Sequence, residues 1–352
     1  MFKYIKYLLP FTLYVLAYLS FTNTGWVCWL APALVWFIIP MLELVLPQNL
    51  LNPTAAEEEM AKHDKVYDYL LYAIVLLLIP SLILFLQGFV TSNLDTPTII
   101  ARVWTMGILC GTFGINVAHE LGHRVKRGEQ VLAQVGLLTS LYMHFFVEHN
   151  KGHHKHVATP HDPSSARYNE PVYTFFYRTV VHGYKSAWSI ANAEAVKANK
   201  PKFSLHNSMV RITLIQISFV LAIYFCFGLN ATLYFAMAAA IGALSLETIN
   251  YIEHYGLQRK VTATGNYERT MPHHSWNSSH PIGRLMLFEL SRHSDHHYLA
   301  SRKYQILRHH DTAPQLPTGY PGSMLLSLFP PLWFKVMHKR IAALENKTVF
   351  AN

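Results

Sequence analysis

Pro97-Thr-Ile-Ile-Ala-Arg-Val-Trp-Thr-Met-Gly-Ile-Leu-Cys-Gly-Thr-Phe-Gly-Ile-Asn-Val-Ala-His-Glu-Leu-Gly-His123 joins two signals in one stretch. Residues 97–118 are mainly apolar and long enough, at ~20 residues, for a helix to cross the hydrocarbon of a bilayer. The run then ends directly on His119 and His123. At ~3.6 residues per turn, positions four apart share a helix face, so a helix that continues past the bilayer aims both imidazoles the same way. The pattern recurs. His149-Asn-Lys-Gly-His153-His154 repeats the i, i+4 pair and adds a histidine turned by about 100°, which lets neighbours serve different metals. His293-Ser-Asp-His296-His297 supplies i, i+3 and i+4, and His254 stands alone at the end of another apolar run.

Further stretches long and apolar enough to span lie at about 4–21, 26–46, 67–90, 207–227 and 231–251. They pair into hairpins through Thr22-Asn-Thr-Gly25, residues 91–96 and Gly228-Leu-Asn230. Composition agrees: of 352 residues 51% are hydrophobic and only 14% charged, against about 25% charged in ordinary globular chains. Lys3 and Lys6 precede the first run, but no small-x-small cleavage site appears before Trp26, so this run reads as a retained helix.

Charge sets the orientation. The hairpin turns carry no Lys or Arg, whereas 27 of the 29 fall in the N-terminal tail, the 48–65 loop and the two long segments. Basic residues stay on the cytoplasmic side. Both termini, segments 119–206 and 252–352, and all nine clustered histidines are therefore expected there. Glu43 and Arg102, near span ends, read as snorkelling side chains. Glu247, two turns before His254, shares its helix face. The net charge of +9 suits topology and anionic membrane lipid, and a chain so largely embedded is not read as binding nucleic acid.

Nine histidines exceed what one metal needs, and two metals with four or five each would use them all. Imidazole suits Fe, Zn, Cu and Ni. Structural zinc sites usually add cysteine, and Cys28, Cys110 and Cys226 are scattered through apolar runs. The same scatter argues against a disulfide framework or a four-cysteine electron carrier, so electrons come from another protein. His119-Glu-Leu-Gly-His123 also fits the His-Glu-x-x-His word of zinc proteases, a reading that leaves seven clustered histidines without a role. Metal-bound imidazoles commonly donate their second N–H to a carboxylate. Glu120, Glu148, Glu253, Asp162, Asp295 and Asp311 lie near enough, and Glu120, Glu148, Glu247 and Asp295 are the preferred candidates. His144 reads as packed. His273, His274 and His280, like His156, His161, His309 and His310, read as structural or supporting.

The three clusters resemble the histidine boxes of integral-membrane non-haem di-iron enzymes, which include fatty-acid desaturases, xylene monooxygenase and alkane hydroxylase. Longer words narrow the likeness. Glu148-His-Asn-Lys-Gly-His-His154, Asn250-Tyr-Ile-Glu-His-Tyr-Gly-Leu257, Arg292-His-Ser-Asp-His-His297, Pro272-His-His-Ser-Trp-Asn-Ser278 and Leu316-Pro-Thr-Gly-Tyr-Pro-Gly322 are similar to the bacterial alkane 1-monooxygenases. Ser291 stands where that family has Gln. The resemblance covers the chain to about residue 340.

The resemblance implies an all-α integral membrane protein, with six transmembrane helices and a cytoplasmic helical cap holding a di-iron site. It treats 1–352 as a single membrane-embedded domain in the bacterial inner membrane. The implied iron ligands are His119, His123, His149, His153, His154, His254, His293, His296 and His297, with no further catalytic residue. The implied cofactors are two non-haem irons, with O2 as co-substrate and rubredoxin as electron donor, served by rubredoxin reductase and NAD(P)H. Trp36, in Leu34-Val-Trp-Phe-Ile-Ile-Pro40, occupies the place that limits substrate depth and points to medium-chain n-alkanes, hydroxylated to primary alcohols as the first step of their degradation. A membrane lipid desaturase or fatty-acid hydroxylase is the nearest rival. A His-rich metal transporter or sensor is a second, although it would place histidines along the spans.

Overall fold

The computed structural model describes residues 2–91 and 93–350. Ser92, in the 91–96 turn, and the last two residues of segment 252–352 lie outside the described residues. Among the described residues all regular structure is helical, with two isolated bridges, Val261–Tyr267 and Asn277–Gln315.

Among the described residues five helices are long and apolar enough to cross a membrane: Lys3–Thr22, Gly25–Val45, Val66–Gln87, Thr96–Gly122 and Ser208–His254. The last is not one rod. Gly228 adopts φ 83° and ψ 177°, a conformation open essentially to glycine alone. Phe219 and Phe235 then meet with ring centroids 5.6 Å apart, whereas 16 residues of continuous helix would separate them by about 24 Å. The chain therefore folds back at Gly228, within the expected hairpin turn.

Thr96–Gly122 is the central helix and the most buried of the five. It packs closely on the second half of Ser208–His254. A Cβ on Gly242 would lie 2.6 Å from the Cβ of Cys110, and one on Gly107 2.5 Å from Cγ2 of Ile241. Lipid gives helices no hydrophobic reason to associate, so small residues that allow close backbone approach supply the packing instead. This contact brings His119 and His254, at the ends of the two helices, into one site.

Among the described residues three helical segments contain π turns: Leu34–Ile38, Cys110–Ile115 and His149–His153. The first has a clear cause. Pro40 lacks an N–H and its ring crowds the carbonyl four residues back, and the N–H of Ile39 reaches to the oxygen of Leu34. A π turn admits one extra residue and rotates the rest of the helix by about 100°, so 3.6-residue facing rules fail across it. His149 and His153 flank such a turn.

The remaining chain forms further helices, among them Arg127–Leu138, the 26-residue Val172–Lys197 and Tyr320–Ser327. Buried charges tie it to the spans. Arg124 donates to Glu120 Oε1 at 2.6 Å and to Asp68 Oδ1 at 3.2 Å, and Lys303 reaches Asp68 at 2.9 Å. Arg292 fastens the third histidine cluster to the 48–65 loop, donating to the carbonyls of Leu51 at 2.8 Å and Asn49 at 3.2 Å, and also to that of Leu307 at 2.8 Å.

Arg102 and Glu43 do not snorkel; both are buried. Arg102 donates from Nε to Ser20 O at 3.0 Å and from Nη2 to Asn23 O at 2.8 Å, satisfying carbonyls at the end of Lys3–Thr22 that the helix itself leaves unpaired. Glu43 accepts from the N–H of Gly283 at 2.8 Å. Partners distant in sequence make these buried charges tolerable. Replacing Arg102 with Leu leaves the Ser20 and Asn23 carbonyls with only the weak Cys28 thiol donor and is expected to cost about 2 kcal/mol. Unfolding of the purified variant in detergent measures it.

Candidate metal centre

Where the spans end, nine imidazoles from four chain segments converge in two groups. His119, His123, His149, His154 and His296 form one, and His153, His254, His293 and His297 the other; within each, one ring nitrogen per residue lies within 4.8 Å of the rest. The adjacent His153 and His154 fall in different groups, and His296 separates from His293 and His297.

Closest approaches run in chains. His123, His149, His154 and His296 are linked in that order with Nε2 separations of 3.2, 3.0 and 3.2 Å. In the second group His153 meets His297 at 3.2 Å and His254 meets His293 at 3.3 Å. Such separations are edge lengths of a coordination shell with metal–nitrogen bonds of about 2.1 Å. His119 is buried with neither ring nitrogen hydrogen-bonded, a costly state unless a cation takes a lone pair. An all-imidazole donor set without thiolate suits iron better than structural zinc.

Burial, and after it the crowd of neighbouring imidazoles, holds His123, His149, His154, His293, His296 and His297 well below the usual histidine range. They are neutral at pH 7 and keep a lone pair for a metal. His153 differs. Burial, the largest single effect, lowers it, but the carboxylates of Asp162, Glu148 and Glu253 together leave it raised. Its Nδ1 lies 2.9 Å from Asp162 Oδ2, and Asp162 itself accepts from the Ser165 hydroxyl at 2.5 Å and the Ser164 N–H at 3.0 Å. The ring is thereby fixed with Nε2 toward His297.

The other carboxylates serve varied partners. Glu120 holds Arg124 and accepts from the N–H of Tyr304 at 3.2 Å. Glu148 accepts from the Ser186 hydroxyl at 3.5 Å. Glu247 accepts from Tyr142 at 2.7 Å, Thr179 at 2.8 Å and Asn250 at 3.1 Å. Asp295 holds Arg302 at 2.6 Å, His310 at 2.7 Å and the N–H of Arg308 at 2.8 Å. These four brace the helices and loops that carry the imidazoles. Glu253 is closer: Oε2 lies 3.1 Å from His293 Nε2, while Oε1 accepts from the Tyr320 hydroxyl at 2.6 Å. Tyr320 has no individual signal in the sequence beyond its place in the Leu316–Gly322 word.

Several of the remaining histidines are otherwise engaged. His144 packs between the rings of Tyr142 and Tyr184, His280 pairs with Ser278, and His309 with Ser279. Glu268, His273 and His274 make a third grouping. There, His274 Nδ1 accepts the N–H of Met271 at 3.0 Å, so its proton is on Nε2, which donates to Glu268 at 3.2 Å. Both nitrogens of His274 are in use.

A narrow apolar cavity leads to the imidazoles. Val35, Trp36, Ile39, Ile249, Leu287 and Met324 are among its walls, and it reaches His119 and His149 of one group and His293 of the other. Two of the π turns, at 34–38 and 110–115, contribute to its lining.

Asp162→Asn removes the carboxylate that orients His153. The expected result is about 10–100-fold weaker metal retention, read by chelator competition and subsequent metal analysis, with the helical circular dichroism preserved.

The sequence profile of the fatty acid desaturase family matches residues 97–340. The alkane 1-monooxygenase 2 of Alcanivorax borkumensis is 37% identical over 338 residues, 96% of this chain and 88% of that protein. The alkane 1-monooxygenase of Acinetobacter baylyi is 38% identical over 312 residues, 88% of this chain and 76% of its own. More distant is the xylene/toluene monooxygenase hydroxylase component of Pseudomonas putida, 26% identical over 243 residues, 68% of this chain and 63% of its own. With its converging histidines and its apolar membrane helices, the chain belongs to the fatty acid desaturase family and, within it, to the alkane 1-monooxygenases.

Proposed function

We propose that this chain hydroxylates the terminal methyl group of medium-chain n-alkanes, using O2 at two irons held by the nine clustered histidines. The observation that carries this reading is the apolar cavity that ends on imidazoles of both groups. One alkane, one O2, two electrons and two protons give one primary alcohol and one water. Bound iron supplies the reduction and cleavage of O2 and the oxidising power needed for an unactivated C–H bond.

The chain supplies confinement. A hydrocarbon has no polar handle, so selectivity for its end comes from shape. The narrow cavity admits a linear chain lengthwise and brings only a methyl end to the imidazoles. Two polar pairs in the wall are turned to one another: Asn116 donates to the carbonyl of Leu287 at 3.2 Å and Tyr320 to Glu253. Trp36 stands in the wall as the group that limits depth.

The two electrons come from rubredoxin, fed by rubredoxin reductase and NAD(P)H. Three scattered cysteines give the chain no four-cysteine centre of its own, and its basic face favours an acidic carrier. The fold-back at Gly228 and the one-sided Lys and Arg support six spans, with the termini and the histidines on the cytoplasmic side of a bacterial inner membrane. The imidazoles come from both sides of the last hairpin, so 1–352 functions as one unit.

Purified protein supplied with rubredoxin, its reductase, NADH and a series of n-alkanes is expected to form primary alcohols, identified by gas chromatography. A desaturated acyl product without alcohol would instead identify a lipid desaturase. Trp36→Ser is expected to move the optimum to longer alkanes by several-fold in relative rate, with metal content unchanged. An unaltered length profile would remove Trp36 from the substrate path.

A further inference from the structure

A second, wider cavity lies behind the second histidine cluster. Arg127–Leu138, residues 145–156, Val172–Lys197 and the start of Ser208–His254 enclose about 520 Å3, open on one side. Its lining is two-faced. Val147, Ile212 and Ile215 contribute an apolar floor, and Lys151, Lys200 and Arg211 stand around it. The one carboxylate in the lining, Glu194, is already held by Lys151 at 2.5 Å. Arg211 spends Nη1 on the carbonyls of Leu205 and His206, at 2.6 and 3.1 Å, neither of which neutralises its charge. The cavity therefore carries uncompensated positive charge over a greasy base.

Its position fixes the kind of ligand. Arg211 lies in the first turn of a membrane-spanning helix, at the level where hydrocarbon gives way to headgroups. Phe203 and Leu205 project beside it, 85% and 66% exposed, and Phe203 rests against Trp188 with ring centroids 6.4 Å apart. Exposed aromatic and aliphatic side chains next to cations are what a protein presents to the interface of an anionic bilayer. We propose that this cavity is a binding site for one anionic phospholipid, with its phosphate among Lys151, Lys200 and Arg211 and an acyl chain along Ile212 and Ile215. Lys151 lies inside the π turn that separates His149 from His153, so the lipid borders the segment that carries three of the imidazoles. The proposal stands on the cavity, its charge and its depth, and is independent of the reaction catalysed.

The test uses the full-length protein, purified in mild detergent and titrated with phosphatidylglycerol, with phosphatidylcholine of the same acyl chains, and with inorganic phosphate. Native mass spectrometry reads lipid retention, and thermal unfolding reads stabilisation. Phosphatidylglycerol is expected to be retained in preference to phosphatidylcholine and to raise Tm. Lys200→Gln and Arg211→Gln are each expected to lower that preference about fivefold. Arg211 also fastens a loop, so Lys200→Gln, an exposed side chain without an ion pair among the described residues, guards against a folding effect. Equal retention of the two lipids, or an unchanged preference in Lys200→Gln, overturns the proposal. A Tm shift reproduced by inorganic phosphate alone would identify a free-anion site and overturn the lipid assignment.

Discussion

Ring nitrogens 3.0–3.3 Å apart, in runs where one imidazole faces two others, cannot all be satisfied by shared protons. His149 Nε2 is close to both His123 and His154, and His154 Nε2 to both His149 and His296. Each neutral ring brings one proton and one lone pair, so the crowding is repulsive until metal cations take up the lone pairs. The protein must hold this arrangement against that repulsion, and metal affinity then becomes part of folding free energy. The glycine contact between the two central helices, the Asp162 carboxylate on His153, the Glu253–Tyr320 pair and the buried Arg124 network all bear on the same task.

Much of this is legible in the sequence. Apolar runs ending on histidines disclose both the membrane helices and the convergence, and the hairpin at 228–230 is announced by three residues. A period of 3.6 assigns the histidine faces correctly for His119 and His123 but fails at His149 and His153, because a π turn intervenes. Only one of the three π turns carries a sequence cause, Pro40. Proximity in sequence favours carboxylates inside the clusters, yet Asp162, nine residues past His153, makes the shortest carboxylate–imidazole contact within the two groups, since a turn returns it to the ring. Arg102 and Glu43 escape a local reading for a related reason. The backbone groups that hydrogen-bond to these buried charges lie 79 to 240 residues away and leave no local trace.

The two cavities are built on opposite sides of one short segment, 145–156. Phe145 and His149 border the narrow apolar one, and Val147 and Lys151 the wide basic one. Residues four apart share a helix face, so Phe145 and His149 meet the narrow cavity, while Val147 and Lys151, about 200° round the axis, meet the wide one together with Phe146.

Arg292 gives the architecture a mechanical side. His119 and His254 ride on the ends of membrane helices, while Arg292 ties the segment of His293 to the loop between the second and third spans. No imidazole group is insulated from the tilt of those helices. Tilt responds to the thickness of the surrounding hydrocarbon, so the spacing of the metal-facing nitrogens and the thickness of the bilayer are coupled variables.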